Sequence, residues 1–139
     1  MSLFVLDTDT FSFYVAANRA VIGNIAAHSG HDLAVTVTTV EELLSGWLRR
    51  VHQARTDPDR ERFYTHYAEA VEALAGWRIL PMTVAALARH ATLMRGRLNV
   101  RSPDLRIAAV GLETGATVVT HNFRDYSRVA GLPIVDWTV

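Results

Sequence analysis

The stretch that decides the fold is LFVLDTDT, residues 3–10. Four apolar side chains, Leu3 to Leu6, run directly into Asp7, Thr8, Asp9 and Thr10. A short unbroken apolar run of this kind reads as a strand buried on both faces, here over residues 3–7. Asp7 and Asp9 then stand where the strand surfaces. Two carboxylates one residue apart repel each other, so the place calls for a cation, a hydrogen-bonding loop or solvent.

Outward from this strand, apolar runs alternate with helical periodicity. Residues 11–17 and 21–27 read as helices parted near Asn18 and Arg19, and Gly30 to Asp32 is a turn signal before a second strand at residues 33–37. Val40, Leu43, Leu44, Trp47, Leu48 and Val51 then recur on one face of a strong helix. Thr38 or Thr39 is its expected cap, with Glu41 or Glu42 three residues on as a capping-box acid. A polar break at residues 56–59, with Pro58 placed for a helix start, opens a helix that Gly76 stops. Residues 78–82 give a third strand, and Thr83 caps a helix running to about Arg97.

Ser102 and Pro103 read as N-cap and first residue of a helix ending at Gly115. Residues 117–120 form a strand, residues 123–130 a helix and residues 134–136 a last strand. Strands alternating with helices mean an α/β domain with a mainly parallel sheet. With no repeat, linker or low-complexity segment, residues 1–139 are expected to form a single domain. Ligands of such sheets bind beyond the carboxyl ends of the strands. Asp7 stands at one such end and His121–Asn122 at another.

Composition narrows the function. Half of the 139 residues are apolar, which excludes a disordered tail, and the absence of cysteine excludes a disulfide framework or thiolate zinc site. There is no basic lead with a cleavable apolar core, and no apolar run near the ~20 residues of a membrane span. The expectation is a soluble cytoplasmic protein. Net charge is zero, which by itself speaks against a nucleic-acid partner. However, all fourteen basic residues are arginine, suited to bidentate phosphate contact and also a mark of a GC-rich coding bias. Acids gathered in one pocket would leave the remaining surface positive. Arg49, Arg50, Arg55, Arg60 and Arg62 form a local basic stretch, the usual pattern of a solvated helix face.

Four segments place an acid at a strand end or helix start: Asp7 with Asp9, Glu41 with Glu42, Asp104, and Asp125. Each has a structural explanation. Asp9 would cap a helix, either Glu would complete a capping box, Asp104 would meet a helix dipole, and Asp125 would be an ordinary surface residue. Jointly they say more. One sheet edge collects the strand ends, and converging carboxylates raise one another's pKa unless a cation intervenes. An oxygen-only donor set suits Mg²⁺ or Mn²⁺. If Thr38 and Glu41 make the cap, Glu42 is turned ~100° away and faces elsewhere; the reverse assignment is equally open. A cation held by acids activates water, neutralises phosphate and orients in-line attack, which is what phosphodiester hydrolysis needs.

The chain resembles PIN-domain ribonucleases, most closely the VapC-type toxins of bacterial toxin–antitoxin pairs, over essentially its whole length. FVLDTDT resembles the opening strand with its first acid, Asp7. TTVEELLSG resembles the Glu-Leu-x-x-Gly helix, which registers the acid on Glu42 and the glycine on Gly46. SPDLRIAAVGLETGATVVTHN carries Asp104, and NFRDYSRVAGLPIVDW carries Asn122 and Asp125. The order, spacing and placement of the blocks are specific; no one block is. The resemblance implies a three-layer α/β/α sandwich. It also implies a Mg²⁺- or Mn²⁺-dependent endoribonuclease acting on structured RNA, commonly a homodimer silenced by a small antitoxin. Asp7 and Asp104 would be the principal metal ligands, with Glu42 as ligand or base and Asp125 at a second metal or bridging water. Thr8, Thr120 and Asn122 would be neutral hydrogen-bonding support, and Asp9 would support the loop.

Two positions depart from the family pattern. His121 stands where arginine or asparagine is frequent, and Arg101 where a small apolar residue or glycine is usual. An exposed histidine is the expectation for the first. Asp7–Thr8–Asp9 also fits an Asp-nucleophile phosphatase of the haloacid-dehalogenase type. Phe11 stands where that pattern wants a small residue or threonine, and the chain has no lysine to steady a phosphoryl group, a lack that also argues against a response-regulator receiver. A scaffold that has lost its acids is disfavoured because all four are present. A nuclease of RNA maturation keeps the same site. His28 and His31 flank a glycine turn without a third ligand and read as loop residues. Trp47, Phe63, Tyr64 and Tyr67 suit base stacking, but on the two helices after the second strand they read as an interface for a second subunit or a partner peptide.

Overall fold

A computed structural model describes residues 2–139. Its centre is a five-stranded, wholly parallel sheet in the order β3-β2-β1-β4-β5. The strands are β1 (Leu3–Leu6), β2 (Asp32–Thr36), β3 (Arg78–Leu80), β4 (Thr117–Val119) and β5 (Ile134–Val135). The helices are α1 (Thr8–Val15), α2 (Arg19–Ala27), α3 (Val37–Gln53), α4 (Asp57–Ala75), α5 (Val84–Arg95), α6 (Ser102–Thr114) and α7 (Phe123–Tyr126). The α/β class and the three layers are as expected.

The period of two along each strand builds the layers. Val5, Ala34 and Val118 point into one core with Leu105, Ile107, Ala108 and Tyr126. Their chain neighbours Leu6, Val35 and Val119 point into the other, with Phe11, Leu74 and Trp137. A continuous apolar strand is thus what a sheet covered on both faces requires. α5 and α6 cover the first face. α1, α3 and α4 supply the second with Phe11, Leu43, Leu44 and Leu74. At Gly111 α6 comes so close to the sheet that a Cβ would lie 3.0 Å from Val118 Cγ2 and 3.1 Å from Leu132 Cδ1. Gly115 ends the helix in the left-handed region, at φ 69°.

The order of connections positions the site. From β1 the chain steps outward to β2 and β3, then crosses back to place β4 on the other side of β1. β1 and β4 therefore flank the switch point, where neighbouring connections part and leave a crevice beyond the strand ends. Leu6 pairs with Val119, and the next amide, Asp7 N, donates to Val119 O at 3.0 Å.

Several helix starts differ from the sequence reading. Asp7 itself, not Asp9, caps α1, accepting from Thr10 N at 2.9 Å. The cap of α3 is Thr36, accepting from Thr39 N at 3.4 Å, so Thr38 and Thr39 lie inside the helix. Thr36 is both the last residue of β2 and the cap, which the run of β-branched residues from Val35 to Val40 disguises. α6 is capped from Arg101, with Ser102 and Pro103 in its first turn and Asp104 after them. α7 is shorter than expected because the chain turns at Ser127 toward β5.

Candidate active site

The crevice between β1 and β4 is built from four elements. Asp7 enters at the end of β1, Thr8 on the first turn of α1, Glu42 on the second turn of α3 and Asp104 on the first turn of α6. Asp7 is buried, while Glu42 and Asp104 are half-buried, with side-chain exposures of 20% and 13%. Because Thr36 caps α3, neither Glu41 nor Glu42 is consumed by a capping box. Glu42 Oε1 accepts from Thr8 Oγ1 at 2.6 Å, and Thr8 Oγ1 also lies 3.0 Å from Thr39 Oγ1. Glu41 points outward, 3.8 Å from Arg106. The choice between the two glutamates is thereby made: Glu42 faces the crevice.

Asp7 shows the electrostatic stress of the place. Burial pushes its pKa up to about 6, and Asp9 adds repulsion; the Thr10 amide and the Thr120 hydroxyl pull it back only in part. Among the described residues no base forms an ion pair with Asp7. Tyr126, on α7, is 1% exposed, and its hydroxyl has no hydrogen-bond partner. Burial holds its pKa well above the usual phenol range, and Asp7, Asp104, Glu42 and Asp9 push in the same direction. Sequence reasoning missed Tyr126 because a four-residue helix offers no periodicity to say which side is inward.

Arg101 is the cation at the crevice. Its guanidinium lies 3.4 Å from Glu42 Oε2 and 3.5 Å from Asp104 Oδ2. Asp125 is set differently from the other three acids. Its carboxylate accepts from Asn122 Nδ2 at 2.8 Å and lies 3.6 Å from Arg128, while Asn122 Oδ1 caps α7 by accepting from Asp125 N. Thr120 is buried at the end of β4 and its Oγ1 accepts from Asn122 N at 2.9 Å. Asp9 is exposed. Gly46 has open space where a Cβ would be, on a hollow lined by Ser12, Glu42, Trp47 and Arg50.

The donors suit a hard cation. All are oxygens, and one carboxylate is buried without a counter-ion among the described residues. As they stand, however, no three Asp, Glu or His side chains among the described residues are gathered closely enough to hold a metal ion. Glu42 and Asp104 are the pair that Arg101 engages.

The expected loop histidines carry no such chemistry. His28 stacks on Trp137 at 4.6 Å, and both His28 and His31 meet the edge or face of Phe4. His121 is exposed, as expected, with Nδ1 2.9 Å from Asp136 Oδ2. Burial raises the Asp136 pKa, but hydrogen bonds from Thr138 and His121 together outweigh it and hold the carboxyl below its usual value.

The PIN domain family model matches residues 4–132, and the chain belongs to that family. The fold is that of VapBC structures. VapBC2 from Rickettsia felis, bound to a DNA fragment from its promoter, superposes with a TM-score of 0.77 at 18% identity, covering 97% of this chain and 98% of that one. DNA-bound VapBC from Salmonella typhimurium gives 0.77 at 24%, covering 99% of both. VapBC-1 from nontypeable Haemophilus influenzae gives 0.69 at 24%, again covering 99% of both. No curated protein matches by sequence.

Proposed function

We propose that this protein is a VapC-type toxin, a divalent-cation-dependent endoribonuclease that a small antitoxin holds in check. The observation that carries the nuclease reading is the buried Asp7, without a counter-ion among the described residues, at the switch point, with Thr8 tying Glu42 to the same strand end and Arg101 linking Glu42 to Asp104. Support for the toxin role comes from neighbours that are VapBC toxin–antitoxin complexes.

Asp7, Glu42 and Asp104 would hold Mg²⁺ or Mn²⁺, with Asp125, braced by Asn122 and Arg128, as the fourth acid on the β4 side. The cation would supply what the acids lack: an acidified water and charge neutralisation for the phosphodiester. Glu42 would serve as ligand or as base, with one oxygen fixed by Thr8 and the other within reach of Arg101. Thr120 and Asn122 steady the loop after β4.

The antitoxin site on this reading is an apolar hollow of about 400 Å³ lined by Phe13, Val15, Leu43, Trp47, His66 and Ala70, among α1, α3 and α4. Trp47 stacks on His66 at 4.6 Å and presents a rigid aromatic wall. The α3–α4 pair would also support a homodimer. Cleavage of total RNA by purified, partner-free protein tests the proposal. Cleavage with Mg²⁺ or Mn²⁺ that EDTA stops is expected, together with growth arrest on expression without a partner. Intact RNA under all conditions contradicts the nuclease, and unimpaired growth at high levels of active protein contradicts the toxin role while leaving RNA maturation.

A further inference from the structure

Arg101 sits at the N-terminus of α6 but does not spend its side chain there: the helix has no side-chain cap, and only the Arg101 carbonyl joins it, accepting from Leu105 N. The guanidinium instead spans the crevice from Asp104, three residues on, to Glu42, fifty-nine residues back. Among the described residues it is the only base paired with either acid. Both contacts are long, at 3.4 and 3.5 Å, and the side chain is 67% exposed. Such pairs are weak and exchange readily with solvent. Arg101 itself lines the adjoining polar cleft, about 380 Å³, with Ser45, Arg49 and Pro103 beside Glu42, so the guanidinium borders open space.

We infer that Arg101 is a built-in competitor for the divalent cation, a tethered single positive charge that holds Glu42 and Asp104 apart from Asp7 until a metal ion displaces it. The inference rests on the metal reading of the crevice given above. The physical contest is uneven in kind. A planar guanidinium reaches its carboxylates through N–H donors and spreads one charge over a broad plane. A hard dication sits about 2.1 Å from its oxygens and draws several together. Tethering compensates the guanidinium, because its local concentration is fixed by the chain. Binding a dication therefore includes breaking both Arg101 contacts, and affinity is lower than the acids alone would give.

The test is Mn²⁺ binding to the full chain, by titration calorimetry and by the metal-induced shift in Tm, without reference to cleavage. Arg101→Ala should bind Mn²⁺ about three- to tenfold more tightly than wild type, as expected for loss of two exposed ion pairs. Its metal-free Tm should fall and its metal-induced gain in Tm should grow. Arg101→Gln should behave like Arg101→Ala and serves if the alanine variant folds poorly. Arg101→Lys, which keeps the charge, should stay near wild type, and Arg62→Ala on α4 controls for overall charge. Equal or weaker binding by both neutral variants overturns the inference and leaves the metal reading intact. No Mn²⁺ binding by any of the proteins overturns both.

Discussion

Two parts of this molecule gather groups that commonly bind metals, and they are finished very differently. At one, His28 stacks on Trp137, His28 and His31 each meet Phe4 edge-on, His28 Nδ1 lies 2.6 Å from Asn24 O, and the Trp137 carbonyl accepts from Asn24. Each part is satisfied by its neighbours. At the other, among the described residues, Asp7 is buried without a cation and a single loosely held arginine serves both Glu42 and Asp104. A packed cluster that completes itself is structure. A cluster left incomplete, at the place where the sheet topology opens a crevice, is where the proposed cation would complete the set.

The contrast breaks most directly in activity. Asp7→Asn or Asp104→Asn should cost about three orders of magnitude in divalent-dependent RNA cleavage, about 4 kcal/mol in the barrier, while circular dichroism stays native. Trp137→Ala should do the reverse. Removing the 2%-exposed indole from its cluster should lower stability by about 3–5 kcal/mol in denaturant unfolding, with no loss of Mn²⁺ affinity in the fraction that remains folded. If Trp137→Ala abolished Mn²⁺ binding in folded protein, the two regions would not be separate in kind.

Asp7 sharpens the comparison through pH. Burial holds its pKa at about 6 in the fold against an ordinary 3.8, so between these values the folded state holds a proton that the unfolded chain lacks. Stability then falls as pH rises through that window, and the whole cost, about 3 kcal/mol, is present above it. Asp7→Asn keeps an acceptor for Thr10 N and removes the charge. It should therefore stabilise metal-free protein by about 1–3 kcal/mol at pH 7.5, and the gain should vanish near pH 4. Equal stability of the two proteins across this range would mean that Asp7 is not electrostatically stressed. The smallest effect belongs to His121→Ala. It removes an exposed contact to Asp136, should change stability by about 0.5 kcal/mol or less, and should leave cleavage within a few-fold of wild type.

Much of this was legible in the residues, for reasons that differ by place. β1 declares itself because a strand buried on both faces has no polar position until it ends, and Asp7 is that end. Asp104 was legible as an acid on a helix first turn, although the start of α6 lay one residue earlier than Ser102 and Pro103 suggested. Glu42 against Glu41 was not decidable from spacing, since the answer turned on which of Thr36, Thr38 and Thr39 caps α3. Thr36 looked like strand because it is strand. Arg101 was visible as a departure from the family pattern, but its reach to Glu42 spans two elements and depends on their packing. Tyr126 gave no signal, because burial of a lone side chain on one turn of helix is decided by the sheet beneath it.

The most direct test is a crystal structure grown with Mn²⁺, read by anomalous scattering at the manganese edge. The expected result is a peak bound by Asp7, Asp104 and Glu42, with the Arg101 guanidinium drawn away from both half-buried acids. A protein soaked in saturating Mn²⁺ that shows no peak in this crevice, with Arg101 still bridging Glu42 and Asp104, would contradict the metal centre outright.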